Sequence, residues 1–311
     1  MTRLAILVVY VVRDDDDLPL LDLHLDRIAR HTSVPYTIHG AAPRVTPAAR
    51  ARLEAEPDLR LVDLPPTDAR GSREHAHYLD GLLPIALESD ATHIVTFDVD
   101  SFPVIDDWVD RLLAAAPPES GLAGVLREEN GDRVLPHPSC LFASRELFTR
   151  YDLSFSPDWD GTPEFRRFLR ATGQAGDTGI RIAYRLWADD LDWGRLRRTN
   201  AVDLHPVIAG VYGDAVFHLG ATSRGVLFRR DLAPSPVHRL TMPLERYPAR
   251  RPAAVRAKKA VLRWTRGPVE RRMMQRNRDC YRRVRAELLA DPDALFARLR
   301  GADARNRAPG G

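Results

Sequence analysis

Two aspartates separated by one residue, Asp98 and Asp100, stand directly after a short apolar run, "HIVTF". Such a run is typical of a buried strand, and side chains two residues apart on a strand point to the same side. If the strand geometry continues to residue 100, both carboxylates converge on one small volume. Each then raises the pKa of the other unless a positive charge lies between them. A divalent metal ion, held by hard oxygen ligands, is the simplest such charge. The pair therefore indicates a metal site.

The elements before this pair predict a layered α/β fold. Strands are predicted at residues 3–12, 36–42, 59–64 and 93–97, and helices at 17–31, 46–56 and 72–89. The third helix has Ser72 as its predicted N-cap and Pro84 as a predicted kink. Alternating strands and helices with continuously apolar strands indicate a mostly parallel sheet that is flanked by helices on both faces. In such sheets ligands bind at the carboxyl ends of the strands, where Asp98 and Asp100 fall.

The later elements are predicted from shorter signals. Strands are expected at residues 121–128, 138–144 and 214–220, and helices at 106–116 and 177–190. Beyond residue 241 the sequence becomes helical and basic. In the final helix, Asp291 is the expected N-cap, Pro292 the first helical residue and Gly301 the stop. The fold is thus expected to end in a basic helical C-terminal extension.

Three classes of enzyme use an acid pair after such a strand. Haloacid dehalogenase-like phosphatases need a basic residue, usually lysine, for the phosphate, but the lysines of this chain are Lys258 and Lys259 alone. Sugar nucleotidyltransferases carry a glycine-rich, lysine-containing loop near the start, which "VVYVVRDDDD" lacks. Glycosyltransferases of the GT-A fold hold a metal ion on a nucleoside diphosphate with the pair and need no lysine. The third class is favoured, and a DxD phosphatase remains the alternative enzyme.

Three stretches within residues 3–220 resemble GT-A glycosyltransferases of the family 2-like group. "SREHAHYLDGLLPIALESDATHIVTFDVDSFPVIDDWV" resembles the helix, strand, D-x-D pair and following P…W run of that family. "GDTGIRIAYRLW" resembles the acidic motif that opens a helix and supplies the catalytic base. "LHPVIAGVYGDAVFHLGATSR" resembles the late strand whose histidine completes the metal site in several groups. One departure is Gly176-Asp177, where many relatives have Glu-Asp.

The resemblance implies a GT-A (Rossmann-like) fold with a metal site for Mn²⁺ or Mg²⁺. Asp100 would be a direct ligand, and Asp98 would support the metal or bind the ribose of the donor. His218 would be the third protein ligand, and an imidazole suits Mn²⁺ better than Mg²⁺. The bound substrate would be a nucleoside-diphosphate sugar, whose leaving group the metal stabilises as a Lewis acid.

The resemblance also implies the remaining site residues. Asp177 would be the general base that takes the proton of the acceptor hydroxyl in an inverting, hexosyltransferase-type reaction. The alternative for Asp177 is a helix N-cap, a position that aspartate favours. Arg73 and Val12 are expected to contact the diphosphate or the base of the donor. The acceptor, whether a glycan, a lipid-linked sugar or a small molecule, is left open. A non-catalytic sugar-nucleotide or glycan-binding protein on the same fold is the alternative from a different class.

Composition divides the chain into two parts. Its net charge is +3, but residues 246–285 carry 15 basic and 2 acidic side chains. This change predicts a GT-A catalytic domain at residues 1–240 and a basic extension at 241–311. The two cysteines, Cys140 and Cys280, lie far apart and have no metal-ligand spacing, which favours a reducing compartment. We therefore expect a cytoplasmic protein.

The basic segment at residues 246–285 predicts a helix with an apolar and a basic face. Two faces are predicted there: an apolar one with Ala254, Ala257, Val261 and Trp264, and a basic one with Arg256, Lys259, Arg263 and Arg266. A basic amphipathic helix with a tryptophan at its apolar edge suits an anionic membrane surface, so peripheral attachment at the inner membrane face is one expectation. Docking on the acidic catalytic domain is the competing expectation. No nucleic-acid partner is expected, because aromatic residues do not interleave with the basic ones.

Overall fold

A computed structural model describes residues 1–158, 161–220, 235–246 and 252–301 of the chain. The chain divides into two compact units. The first comprises Met1–Gly220 and Asp291–Gly311, and the second comprises Ala221–Ala290. The chain therefore returns to the first unit after residue 290. The division into a catalytic domain of residues 1–240 and an extension of residues 241–311 stays a prediction.

The first unit is built on a large mixed sheet. The strands of the described residues are β1 Leu4–Val12, β2 Tyr36–Val45, β3 Leu59–Leu61, β4 His93–Phe97, β5 Ser101–Pro103, β6 Leu122–Val125, β7 His137–Ser144, β8 Gly194–Leu196, β9 Gly210–Tyr212 and β10 Val216–His218. Seven of these described strands form the large sheet, in the order β3-β2-β1-β4-β7-β6-β8. Within it β7 runs against its neighbours β4 and β6, and the other pairs are parallel. The predicted mostly parallel sheet is confirmed.

Helices cover both faces of this sheet. Those of residues 1–220 are α1 Leu18–His31, α2 Pro47–Glu54, α3 Ser72–Glu88, α4 Trp108–Ala115, α5 Arg145–Tyr151, α6 Pro163–Thr172 and α7 Ile180–Ala188. One apolar core joins alternate residues of β1 to α1, α2 and α4, and the other joins the intervening residues to α3, α5 and α7. Because both of its faces are buried, β1 is apolar without interruption. The predicted α/β class is therefore confirmed.

A small antiparallel sheet lies beyond the carboxyl end of β4. Its order is β5-β10-β9, with His218 of β10 opposite Ser101 of β5 and Gly210 of β9. The last helix of the first unit, α10 (Pro292–Arg300), packs against this sheet, since the ring of Phe296 contacts the rings of Phe102 and Phe217. As predicted, the Asp291 side chain caps α10 by accepting from the Ala294 amide at 2.9 Å.

The second unit is helical where the structure describes it. It contains α8 (Pro236–Arg246) and α9 (Pro252–Ala290), which are joined by a bond from Arg266 Nε to Thr241 Oγ1. The helical character predicted beyond residue 241 is confirmed for these ranges. Among the described helices, α9 included, none combines the length and the apolar character that crossing a bilayer requires.

Two predicted helix starts were wrong. Ser72 is the first residue of α3 rather than its N-cap, a place that Gly71 takes with a φ of 65°. α7 begins at Ile180, with Gly179 as its N-cap at a φ of 87°. In both cases a glycine adopts the left-handed conformation that L-residues avoid, and this sets the start of the helix. Ser72 and Asp177 are thereby released to contact each other.

Candidate metal centre

The turn between β4 and β5 carries the two aspartates of the D-x-D pair. Ser101 closes this turn: its amide donates to Asp98 O at 2.9 Å, and its hydroxyl accepts from the Asp98 amide at 2.8 Å. The same hydroxyl reaches the Ser139 carbonyl on β7, so the turn is bonded to the neighbouring strand. Both aspartates therefore leave the sheet from a fixed turn at its carboxyl-end edge.

The structure brings Asp98, Asp100 and His218 together. One ligand atom from each lies within 4.8 Å of the others. His218 Nε2 is 3.8 Å from Asp98 Oδ2 and 3.7 Å from Asp100 Oδ1. These separations are too long for direct hydrogen bonds. Two carboxylates and an imidazole with this spacing can share a cation, and the ligand types suit Mn²⁺ or Mg²⁺.

Asp100 is held rigidly at the centre of this cluster. It is 2% exposed, and its Oδ2 accepts the Gly220 amide at 3.1 Å. Gly220 has a φ of 70°, and a Cβ there would lie 2.8 Å from the Val207 carbonyl oxygen. Only glycine fits this conformation without strain, and the amide that fixes Asp100 depends on it. The ring of His218 is braced in turn by a stacked ring, His137, whose centroid lies 6.0 Å away.

The electrostatics of the cluster are those of a cation site. Burial and the neighbouring Asp100 carboxylate raise the pKa of Asp98 to about 6, while His218 and Arg127 oppose this rise. The pKa of Asp98 rises because two like charges lie close together away from water, which disfavours the charged form of the carboxylate. A divalent cation would offset the repulsion between the two carboxylates. The ligand atoms of this cluster therefore fit the metal ion that the sequence resemblance implied.

His75 is a member of the site that the sequence analysis did not identify. Its Nε2 lies 3.4 Å from Asp98 Oδ1, on the side of that carboxylate away from His218. His77 points elsewhere, with its Nε2 2.9 Å from the Pro65 carbonyl. The two histidines, two residues apart on α3, therefore diverge. Helical periodicity could have indicated that His75 faces inward, because it shares a face of α3 with Tyr78 and Leu82, which are buried.

Asp177 lies in the loop just before α7 and is bonded on several sides. Its Oδ1 accepts from the Ser72 hydroxyl and, at 2.9 Å, from the Thr178 amide. Its Oδ2 lies 3.4 Å from Arg127 Nη2, and Arg127 also donates to Asp132 at 2.9 Å. The Asp177 charge contributes to the raised pKa of Asp98, so the two carboxylates lie within electrostatic reach. Arg127 is a second residue that the sequence analysis did not identify.

Arg73 and Val12, the two residues expected to contact the donor, differ in exposure. The Arg73 guanidinium donates to Asp158 Oδ1 at 2.7 Å, and both side chains are largely exposed. Val12 ends β1, which is the parallel neighbour of β4, but its own side chain is buried in the core. Arg73 is thus available to a ligand in solvent. Val12 is paired with Val45 of β2, and its carbonyl accepts the Thr46 amide at 3.0 Å.

No protein-family model matches this sequence, and no curated protein matches it. Among solved structures, the galactosyltransferase LgtC with donor and acceptor sugar analogues is 11% identical, with a TM-score of 0.37; the match covers 63% of this chain and 73% of that one. The mannosyltransferase PcManGT from Pyrobaculum calidifontis, with GDP-Man and Mn²⁺, is 15% identical, with a TM-score of 0.41 and coverage of 99% and 81%.

Glucosyl-3-phosphoglycerate synthase from Mycobacterium tuberculosis, with Mg²⁺ and uridine diphosphate, is 16% identical. Its TM-score is 0.34, and the match covers 48% of this chain and 58% of that one. All three are GT-A glycosyltransferases, the class that the sequence motifs resemble. Similarity at these identities and TM-scores assigns no role to any residue of this chain. The function is therefore inferred from the geometry of the site.

Proposed function

We propose that this chain is a metal-dependent glycosyltransferase that moves a hexosyl group from a nucleoside-diphosphate sugar to an acceptor hydroxyl. The observation that carries the proposal is the convergence of Asp98, Asp100 and His218 within 4.8 Å. The cluster stands at the carboxyl-end edge of a mostly parallel sheet, where α/β folds bind their ligands. Together with the motif resemblance, this supports transfer from a diphosphate donor.

The three clustered side chains would hold Mn²⁺ or Mg²⁺. The ion would act as a Lewis acid that neutralises the charge of the departing diphosphate. Asp100, which is buried and fixed by the Gly220 amide, is suited to permanent ligation. Asp98 is 23% exposed, so it keeps an edge for the donor ribose. The bracing of these groups before substrate arrives would reduce the cost of ordering them.

The donor would lie along the edge formed by β1 and β4. Arg73 has an exposed guanidinium that can leave Asp158 for a phosphate oxygen, because a surface ion pair is worth little. Val12 would contribute to the base-binding edge through its place at the end of β1, because its side chain is buried and its carbonyl accepts the Thr46 amide. Both contacts are proposals, supported by the place of Val12 at the carboxyl end of β1 and of Arg73 two residues before His75 on α3.

Asp177 is our candidate for the general base of an inverting reaction. A carboxylate that accepts the proton of the attacking hydroxyl supplies roughly 10²–10⁴-fold of rate. The Ser72 hydroxyl, the Thr178 amide and Arg127 orient the carboxylate of Asp177. An acceptor hydroxyl would have to displace the Ser72 hydroxyl or share Asp177 with it. We further propose that the reaction takes place in the cytoplasm, because the sequence has only two cysteines, far apart and without metal-ligand spacing.

A donor screen tests the proposal. The full-length protein is incubated with a panel of nucleoside-diphosphate sugars, with Mn²⁺, Mg²⁺ or a chelator, and the release of nucleoside diphosphate and of inorganic phosphate is measured. We expect nucleoside diphosphate to appear with one donor, only with metal, and not in Asp100→Asn. Asp110→Asn, a change of the same kind at an exposed residue, is the matched control.

The other outcomes identify the alternative functions. Saturable binding of a donor with no turnover in any metal would identify a sugar-nucleotide binding protein. Release of inorganic phosphate from a sugar phosphate, assayed in parallel because a nucleoside-diphosphate sugar has no phosphomonoester to hydrolyse, would identify a phosphatase. Full turnover in Asp100→Asn would refute the metal site.

A further inference from the structure

The helix α9 carries an exposed apolar stripe. Ala257, Val261 and Trp264 are spaced by four and three residues, so they share one face, and all three are exposed. Trp264 is 81% and Val261 46% exposed. Five large hydrophobic side chains of the described residues are exposed in all, and three of them, Leu240, Val261 and Trp264, belong to the second unit. Tryptophan is highly buried on average in folded proteins, so the exposure of Trp264 beside Val261 is unusual.

A basic stripe adjoins the apolar stripe on the same helix. Arg256, Lys259 and Arg263 follow the same helical period and are also exposed. At 100° per residue the basic stripe lies beside the apolar stripe, so the helix presents an apolar and a cationic edge together. The surrounding segment, residues 246–285, is strongly basic, with 15 basic and 2 acidic side chains.

The buried residues of α9 recur on the opposite side of the helix. Arg266, Asn277, Val284 and Leu288 are buried, and Arg266 stands 200° from Trp264 at the helical period. Arg266 also bonds Thr241 of α8, so this side is the one on which the unit packs. The apolar stripe therefore points away from the packed side. The basic stripe lies next to the packed side, since Arg266 is seven residues from Lys259 and shares its helical face. Arg256, Lys259 and Arg263 are themselves exposed.

We propose that α9 lies on an anionic lipid surface, with the apolar stripe in the headgroup boundary and the basic stripe on the lipid phosphates. A tryptophan beside aliphatic and small residues suits this boundary, because its ring is apolar and its N–H can bond to headgroups or water. Basic side chains next to such a face gain from the negative surface potential of anionic lipids. The partner is therefore a bilayer surface.

The same observations argue against two other polyanionic or apolar partners. A single-stranded nucleic acid would need several aromatic side chains between the basic ones, and the exposed stripe offers Trp264 alone. A second copy of this chain would have to bury the apolar stripe while neutralising the adjoining cations. An anionic bilayer satisfies both edges at once. The inference does not depend on glycosyl transfer, since attachment is measured without turnover.

Flotation of the full-length protein tests the inference. The protein is mixed with vesicles of phosphatidylcholine, or of phosphatidylcholine with phosphatidylglycerol, at low and high salt, and the fraction that floats is measured. We expect binding to the anionic vesicles at low salt, weaker binding at high salt because exposed charges are screened, and little binding to neutral vesicles. Acyl-chain-brominated lipids should quench tryptophan emission, and Trp264→Phe should reduce that quenching.

Three variants separate the two stripes. Arg256→Gln, Lys259→Gln and Arg263→Gln together remove three charges and should weaken binding about a hundredfold, since each basic residue near such a surface is worth about 1 kcal/mol. Trp264→Ala keeps every charge and should weaken binding about tenfold through lost apolar burial. Arg60→Gln, Arg166→Gln and Arg170→Gln together remove three exposed charges of the first unit and should leave binding unchanged.

Several results would overturn the inference. These are no flotation of the folded wild-type protein at low salt, equal flotation with neutral vesicles, or equal loss in the control triple variant. Binding that is insensitive to Trp264→Ala, and that duplex DNA matches in affinity, would indicate general adsorption to polyanions. A dimer that dissociates in Trp264→Ala would indicate that a second copy covers the stripe.

Discussion

Asp98 and Asp100 lie one residue apart but differ in their surroundings. Asp100 is buried and accepts the Gly220 amide, whereas Asp98 faces both His218 and His75 and keeps an exposed edge. The first arrangement suits a ligand that never leaves the ion. The second suits a group that adjusts when a substrate arrives. The histidine on α3 therefore becomes relevant to function, because it lies beside the more adaptable carboxylate.

We predict that His75→Ala weakens cation binding. His75 Nε2 is 3.4 Å from Asp98 Oδ1, and removal of a group that orients a ligand typically costs about 10–100-fold in metal affinity. Calorimetric titration of Mn²⁺ into the two proteins measures the effect. His77→Ala is the control, since His77 lies against the Pro65 carbonyl. Equal affinity in His75→Ala and the wild type would show that Asp98 is oriented without it.

We predict that Asp177→Asn lowers turnover by about 10²–10⁴-fold while donor affinity is kept, because the base acts on the acceptor. Single-turnover kinetics with a titration of the donor would measure both quantities. Asp132→Asn is the comparison, since it breaks the other ion pair of Arg127 and leaves the Asp177 carboxylate intact. A less stable Asp177→Asn protein with near-normal turnover would assign Asp177 to holding the start of α3.

At the scale of elements, α1 is fastened to the D-x-D turn by a buried histidine. His24 Nδ1 lies 3.0 Å from the Ser101 carbonyl, and its ring packs edge-on against Tyr10 and Phe97. Burial lowers the pKa of His24 to about 4 from an ordinary value of 6.5. The turn that carries Asp98 and Asp100, the proposed metal ligands, is thus packed against a histidine whose neutral form is favoured by burial.

This pKa shift predicts a loss of stability in mild acid. Because the folded pKa lies below the unfolded one, the unfolded chain binds the proton more readily, and stability falls as the pH drops from about 6.5 to about 4. A shift of this size corresponds to about 3 kcal/mol. Urea unfolding at pH 7 and pH 4 measures how much free energy of unfolding is lost on acidification. That loss should be smaller in His24→Asn than in the wild type by about this amount. His77→Asn should keep the wild-type loss, and an unchanged loss in His24→Asn would contradict the prediction.

The elements show what the sequence can and cannot predict. The sheet, its helices and the D-x-D turn follow from local periodicity, and His218 follows from a motif resemblance. His75 and Arg127 were missed because their roles depend on contacts with residues far along the chain. The starts of α3 and α7 were misplaced because Gly71 and Gly179 take positive φ angles that the periodicity does not reveal. Helix α6 was missed as well, although Thr162 and Gly173 mark its two ends and Phe165 and Phe168 share its buried face.

At the scale of the whole molecule, the chain leaves the first unit after Gly220 and returns to it at Asp291. The returning helix α10 is fastened by an apolar contact and an ion pair. Phe296 packs on Phe102 and Phe217, and Arg27 on α1 donates to Asp293 at 2.6 Å. These contacts lie against β5 and β10, the strands that flank Asp100 and end at His218. The fold of the metal centre therefore includes a segment distant in sequence.

We predict that Phe296→Ala lowers the free energy of unfolding by about 3–5 kcal/mol, the usual cost of removing a buried aromatic ring. Cation affinity should fall with it, because β5 and β10 lose their packing support. Chemical unfolding and Mn²⁺ titration measure the two effects. Arg298→Ala, on the exposed side of α10, should change neither by much. Normal stability and affinity in Phe296→Ala would mean that α10 is dispensable to the site.

The return of α10 also sets an order of events during synthesis. Asp98, Asp100 and His218 all leave the ribosome before the second unit, Ala221–Ala290, has been made, and α10 emerges only after it. In the nascent chain the apolar rings of Phe102 and Phe217 stay exposed until Phe296 has been synthesised and packs on them. A nascent chain that stalls within the second unit therefore exposes an apolar surface that chaperones can recognise. The packing around the candidate metal centre is therefore complete only after residue 300 has been synthesised.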